Sequence, residues 1–170
     1  NYLTPCTPAG IRAILIDIFG GSFGVTNKNI VIVGRSHLIG KPLAEILTAD
    51  NANVTLLHSY TSKENLKKHC LNADIIISAA GQANLITADM INKGHRPILI
   101  DAGFSLVKNE KGKMVVNGDI AKECWEFSKY YTPYTNCVGP LTISILMYNI
   151  CLFHFLQIDK HDIPEDIYNE

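Results

Sequence analysis

The sequence predicts an α/β fold, a doubly wound and mostly parallel sheet interrupted by a β-hairpin insertion. Three observations carry that expectation. Between Asn29 and Leu47 an apolar run, Ile30–Val33, enters a tight Gly34/Ser36/Gly40 turn and leaves it as an amphipathic helix. Further short apolar runs, Asn53–Leu57, Ile75–Ser78 and Ile98–Ile100, alternate with helical segments. Strands without a polar face belong to parallel sheets covered on both sides. Last, Leu106-Val107 and Met114-Val115-Val116 flank the polar loop Asn109-Glu-Lys-Gly112, the pattern of an antiparallel hairpin.

The elements follow in order. Thr7-Pro8 reads as an N-cap with proline at the first helical position, and Ile11, Ile14, Leu15 and Ile18 recur at helical spacing until Gly20-Gly21. Pro42–Thr48 continues the helix that leaves the glycine turn. Thr61-Ser-Lys-Glu64 has capping-box spacing and opens a helix towards Cys70. Thr87–Ile91 reads as a short helix and Tyr130–Pro133 as a last strand. Leu141–Leu156 makes a final helix, apolar over most of its circumference. The tail Asp159–Glu170 is polar, acidic and expected to be loosely held.

The 170 residues suffice for one well-buried domain. With 15 basic and 16 acidic side chains the net charge is −1, so no basic field points to a nucleic-acid partner. The longest apolar run, Ile143 to Leu156, is broken by Tyr148, Asn149 and His154 and reads as too short for a bilayer, so no membrane partner is expected. The five cysteines lack Cys-x-x-Cys spacing, which argues against a disulfide framework or a metal site and for a reducing compartment. A cytoplasmic location is expected, with an organelle as the open alternative. The chain begins with Asn1, as a processed product or a piece of a larger polypeptide would.

The chemistry starts at the glycine turn. Gly34 and Gly40 let the backbone approach a dinucleotide's phosphates, and the following helix presents unpaired N–H groups to them. Ser36 stands where the second glycine of G-x-G-x-x-G would be, and its hydroxyl can donate where glycine only makes room. After the second strand an Asp or Glu would bind the 2′-hydroxyl of NAD. Here Leu57-His58-Ser59-Tyr60-Thr61 holds no carboxylate, and Arg35 follows Gly34. Arg35 with Ser59 can clamp a 2′-phosphate, which favours NADP over NAD. His58 reads as a satisfied histidine at a strand end. Ala79, Ala80 and Gly81 are expected beneath the dinucleotide, and Asp101 fits a strand-end turn or a ligand contact equally well.

Seven motifs stand in register: Pro5-Cys-Thr-Pro-Ala-Gly10, Gly34-Arg-Ser-x-x-Ile39-Gly40-x-Pro42, His58-Ser59-x-Thr61, Ala73-Asp-Ile-Ile-Ile-Ser-Ala-Ala-Gly81, Asp101-x-Gly103-Phe104, Gly118-Asp119-Ile120, and Thr132-Pro133 with Val138-Gly139-Pro140-x-Thr142. Together they resemble the cofactor-binding half of the bifunctional methylenetetrahydrofolate dehydrogenase/methenyltetrahydrofolate cyclohydrolase family, up to about Asn149. The resemblance implies a Rossmann-like NADP domain over residues 25–140, bridging helices over 1–24 and 141–158, and a flexible tail over 159–170. It implies hydride transfer from 5,10-methylenetetrahydrofolate to NADP, then hydrolysis of the methenyl product to 10-formyltetrahydrofolate. Arg35, Ser36 and Ser59 match the family's 2′-phosphate contacts. Ile39, Gly40, Thr61, Gly103 and Thr142 complete the cofactor-binding set with the residues above. No catalytic residue is expected in this chain. The family's lysine, its tyrosine partner and its pterin-binding aspartate belong to a domain preceding Pro-Cys-Thr-Pro, with which the folate would be shared. Pairing into a homodimer through the hairpin is also implied.

One departure bears on activity. Where the family reads Pro-Val-Pro-Gly-Gly-Val-Gly-Pro, this chain reads Pro133-Tyr-Thr-Asn-Cys-Val-Gly-Pro140. Asn136 tolerates a left-handed backbone, whereas Cys137 resists it, so either the loop is re-routed or the nicotinamide and folate sit differently. The alternative reading is a non-catalytic dinucleotide-binding or dimerisation module derived from the family. A shikimate-type dehydrogenase is disfavoured by Gly118-Asp119 and Val138-Gly139-Pro140.

Overall fold

Strands with no polar face need cover on both sides, and the intervening helices supply it. The computed structural model describes residues 3–108 and 112–161. The order is α1 (Cys6–Phe19), β1 (Asn29–Val33), α2 (Gly40–Ala49), β2 (Asn53–Leu57), α3 (Lys63–Leu71), β3 (Ile75–Ser78), β4 (Ile98–Asp101), β5 (Phe104–Lys108), β6 (Met114–Gly118), β7 (Tyr130–Tyr131) and α4 (Val138–His161). Five strands form one sheet in the order β2-β1-β3-β4-β7, all parallel. The remaining two, β5 and β6, pair antiparallel as the inserted hairpin. Residues 109–111 of its expected loop lie outside the described residues, as do residues 162–170 of the expected tail.

Side chains of the sheet divide by strand alternation. Ile30, Ile32, Ile75, Ile77, Ile98 and Ile100 pack with Ile11 and Leu15 of α1 and Leu43 and Leu47 of α2. On the opposite face Val31, Val33, Ile76 and Leu99 meet Leu66 and Cys70 of α3 with Ile86, Ile120 and Cys124. The chain reverses direction across the sheet between β1 and β3, and at such a point a ligand crevice opens beyond the strands' carboxyl ends.

Three local readings shift. Helix α1 starts at Cys6 rather than after Thr7, with Pro5 at its cap and Ala9 N donating to Pro5 O (3.0 Å). Pro8 then stands at the third helical position, where its missing N–H leaves no bond unmade. The cap of α3 is Ser62, whose hydroxyl accepts from Asn65 N, because Thr61 Oγ1 is taken by His58 N (3.1 Å). Thr87–Ile91 reduces to a 3₁₀ turn over Ala88–Met90. Gly20 ends α1 at φ 72° as its sequence suggests.

Helix α4 corrects the reading of the apolar run. It begins at Val138, so Val138–Leu156 presents 19 residues of mean hydropathy 1.5, long and apolar enough to cross a bilayer by length and composition alone. The helix continues to His161, three residues into the expected tail. Two of its polar groups turn inward: Asn149 Nδ2 donates to Thr4 O (2.9 Å), and the Thr142 hydroxyl lies 3.2 Å from that of Thr7. Many of its apolar side chains turn outward, with Ile143, Met147, Tyr148, Ile150 and Phe155 all exposed, while Val138 is buried in the core. By contrast α1, expected to serve as a bridge, contributes Ile11 and Leu15 to the domain's own core.

Deleting core volume should therefore be far more damaging than removing an exposed apolar group from α4. Ile77→Ala is expected to lower unfolding free energy by about 2–5 kcal/mol. Leu146→Ser should change it by less than about 0.5 kcal/mol. Urea unfolding of both variants checks the contrast.

Candidate functional site

The carboxyl ends of β1, β2 and β3 surround a cavity of about 400 Å³. After β1 the backbone turns at Gly34, whose φ of 116° is open to glycine and strained for other residues. A Cβ there would meet Ala79 O, and one at Gly40 would run into Gly34 O. Two backbone approaches thus demand glycine. Ser36 ties the turn together: its Oγ accepts from Ile39 N (3.1 Å) and its carbonyl from Lys41 N (3.0 Å). Part of the donor capacity at the start of α2 is used internally. Among the described residues the amides of Arg35, Ser36, His37 and Leu38 keep no internal acceptor, so they remain available to an anion.

The second wall is the turn after β2. Thr61 N donates to His58 O (2.8 Å), His58 N donates to Thr61 Oγ1, and Tyr60 N donates to His58 Nδ1 (3.3 Å). These bonds hold Ser59 and Tyr60 outward at the rim. His58 serves the turn, in keeping with a satisfied histidine. Across the opening the Arg35 guanidinium stands 5.7 Å from the centre of the Tyr60 ring, a cation–π contact that braces it.

Beneath lies the loop after β3, fixed by a fully buried carboxylate. Asp119 Oδ2 accepts from Ser78 Oγ (2.9 Å), Ala80 N (2.7 Å) and Gly81 N (3.1 Å), and Oδ1 accepts from Gln82 N (2.8 Å). The amides of residues 80–82 therefore face inward. Asp101, the last residue of β4, accepts from Ile120 N (2.9 Å), Gly103 N (3.2 Å) and Asp119 N (3.3 Å). A Cβ at Gly103 would strike Asp119, and one at Gly118 would strike Asp101. The two carboxylates and two glycines thus interlock and pin the hairpin to the sheet. Burial pushes the Asp101 carboxyl up to about 6, with backbone amides opposing it and the Asp119 charge adding to it.

A second cavity, of about 500 Å³, opens on the other side of the glycine turn. It is bounded by Ile39, by Asp101 and Ala102 at the end of β4, by Phe104 and Val116 of the hairpin, and by the stretch from Tyr134 to Thr142 with Thr7. Here the departure Asn136-Cys137 is accommodated. Asn136 takes the left-handed conformation at φ 59°, while Cys137 does not and directly precedes α4. The loop keeps a positive φ at one position and hands the other side chain to the helix start. Burial raises the Cys137 thiol, which leaves it a poor nucleophile.

The expected site residues divide between these cavities. Gly34, Arg35, Ser36, His58, Ser59, Thr61, Ala79 and Ala80 line the first; Ile39, Asp101 and Thr142 line the second. Gly40, Gly81 and Gly103 line neither; Gly40 and Gly103 let a backbone and a carboxylate approach, and Gly81 takes a positive φ of 66°. Sequence reasoning missed Lys63, Leu66, Gln82 and Leu85 in the first cavity, and it singled out Tyr134 and Asn136 of the second only as a departure from the family pattern.

Comparisons with known proteins point to one family. Residues 5–157 match the family model of the tetrahydrofolate dehydrogenase/cyclohydrolase NAD(P)-binding domain. The bifunctional protein FolD of Clostridium novyi is 43% identical over 152 residues, covering 86% of this chain and 49% of that protein. Among solved structures, the methylenetetrahydrofolate dehydrogenase-cyclohydrolase of Trypanosoma brucei, complexed with NADP cofactor and inhibitor, superposes with a TM-score of 0.73 at 30% identity. It covers 86% of this chain and 48% of its own. A 5,10-methylenetetrahydrofolate dehydrogenase of the silkworm Bombyx mori gives 0.76 at 31% identity, covering 92% and 53%. The chain spans about half the length of the curated relatives it matches.

The folded chain holds the Asp101 proton more tightly than an unfolded one, whose carboxyl titrates near pH 3.9. The stability this supplies is fully present below that value and is lost as pH rises through about 6. A carboxyl-carbon NMR titration should place the Asp101 midpoint near 6; a midpoint below 4 contradicts the burial argument.

Proposed function

The chain belongs to the tetrahydrofolate dehydrogenase/cyclohydrolase family through its NAD(P)-binding domain, and from that premise we propose that it is the NADP-holding half of a one-carbon folate enzyme. The observation that carries the reading is the first cavity. It lies at the carboxyl ends of β1, β2 and β3, offers Arg35, Ser36 and Ser59, and contains no carboxylate among its described lining residues. An acidic side chain after β2 would hold a ribose hydroxyl; a cation and hydroxyls suit a 2′-phosphate instead. The close approach at Gly34 and Gly40 supports a pyrophosphate at the turn.

Bound there, NADP would take up the hydride released when 5,10-methylenetetrahydrofolate becomes 5,10-methenyltetrahydrofolate, which water then opens to 10-formyltetrahydrofolate. This chain's part is to hold and orient. Arg35 and Ser59 grip the 2′-phosphate, the free amides of residues 35–38 receive the diphosphate, and Asp119 keeps the loop beneath from collapsing. The Tyr134–Thr142 stretch walls the second cavity, where the ring end would lie and water must be kept out. The αL backbone at Asn136 favours this enzymatic reading over a non-catalytic module, since the loop keeps its turn despite the lost glycines.

We assign the proton chemistry to a folate-binding domain bearing a Tyr-x-x-x-Lys segment, outside this chain. The outward apolar surface of α4 supports such a companion, because exposed apolar patches of this kind mark contact surfaces. Residues 1–24 and 141–158 would then bridge the two halves. Pairing into a homodimer through the hairpin is supported by the exposed Phe104, Leu106 and Met114. Five free cysteines fit a reducing, cytoplasmic setting.

Calorimetric titration should give this chain a tighter affinity for NADP than for NAD. Arg35→Ala should cut that preference by about tenfold, the worth of one charge-assisted contact. Dehydrogenase turnover should be undetectable from the chain alone and should appear once the lysine-bearing domain is joined. Equal affinity for the two dinucleotides would overturn the cofactor assignment, and turnover without the second domain would overturn the division of labour.

A further inference from the structure

We propose that Lys63 is a second cation for the 2′-phosphate, making it a residue that sets the choice between NADP and NAD. This rests on the NADP reading above and extends it to a side chain that no motif in the sequence marks.

Lys63 is the first residue of α3 and lines the same cavity as Arg35, Ser36, Ser59 and Thr61. The two cations come from different walls, Arg35 from the turn after β1 and Lys63 from the helix start after β2. Neither has a carboxylate partner among the described residues, and none lines the cavity. The neighbouring Lys67 shows the contrast, paired with Asp89 at 2.7 Å. Helix stability does not explain a lysine here, because a cation in the first turn opposes the helix dipole. The hydroxyls nearby are already aimed. Ser36 Oγ accepts from Ile39 N and Thr61 Oγ1 from His58 N, so each proton is left to point at a ligand oxygen. A phosphate monoester carries a charge near −2 at neutral pH, which one guanidinium leaves half balanced and two cations match. The 2′-hydroxyl of NAD has no charge for either to meet.

The experiment isolates the adenosine end. The chain and its variants are titrated calorimetrically with adenosine 2′,5′-bisphosphate and with adenosine 5′-monophosphate, each at low and high salt. Lys63→Ala should weaken the bisphosphate about three- to tenfold and leave the monophosphate within about twofold. It should also flatten the salt dependence of the bisphosphate, which loss of a purely structural residue would not do. Lys63→Arg should retain most of the affinity. If Lys63→Ala weakens both ligands alike, Lys63 serves the 5′-phosphate or the fold, and the proposal is overturned. It is equally overturned if neither ligand is affected. Arg35→Ala separates the two layers. Loss of bisphosphate affinity there, with none at Lys63, removes only Lys63; failure of the parent chain to distinguish the ligands removes the NADP reading itself.

Discussion

Asp119 is a buried carboxylate that takes four hydrogen bonds, one from the Ser78 hydroxyl and three from consecutive amides of residues 80–82. Removing a carboxylate from water costs several kcal/mol, and only a full set of donors offsets it. Each charge-assisted bond contributes on the order of 1.5–3 kcal/mol, so four of them favour the buried ion and a missing one would expose the deficit. The consequence reaches well beyond one loop. With its amides turned inward, the segment after β3 is fixed as the floor of the first cavity. The same residue, through Gly103 and Asp101, locks the hairpin to the sheet. A floor that cannot sag and a turn that admits only glycine leave a rigid slot between β1 and β2.

What fills that slot is decided by charge. The walls offer cations, oriented hydroxyls and free amides, and no described lining residue is acidic. On the proposed reading, discrimination would come from the part of the ligand that differs by one phosphate, while the shared part would be held by backbone groups that any dinucleotide could use. Separating the two tasks in this way lets the second cavity accommodate Asn136 and Cys137 without disturbing the first.

Helix α4 expresses the same division at the scale of the fold. Its Asn149 and Thr142 face α1, while Ile143, Met147 and Phe155 stand exposed where an ordinary surface helix is polar. On the proposed reading, that exposed apolar surface would be covered by the folate-binding domain. It also explains why composition alone gave an ambiguous signal. The helix is apolar all round, so periodicity could not tell which side packs, and its true start at Val138 was hidden by the Gly139-Pro140 pair. The strands, in contrast, were legible almost residue for residue, because Ile30–Val33, Asn53–Leu57 and Ile75–Ser78 are short, apolar and bounded by turn residues. The glycine turn was equally legible from residue type and position, and Arg35 and Ser59, singled out on the same grounds, line one cavity. Caps slipped by one or two residues where hydroxyls had competing partners, as Thr61 did. Lys63 and Gln82 escaped because nothing local distinguishes a cavity-lining lysine or glutamine from a solvated one; only the fold brings them to the opening. Asp119's role was invisible for a related reason, since its partners lie some forty residues away in the sequence.

The central claim is that one slot at the carboxyl ends of β1, β2 and β3 receives the adenosine and diphosphate of NADP. Backbone amide NMR of this chain during NADP addition tests it most directly. The account predicts shifts concentrated at residues 34–40, 58–63 and 79–82, with a second group around residues 134–139. Shifts gathered instead on the hairpin or along α4, with the glycine turn silent, would contradict it.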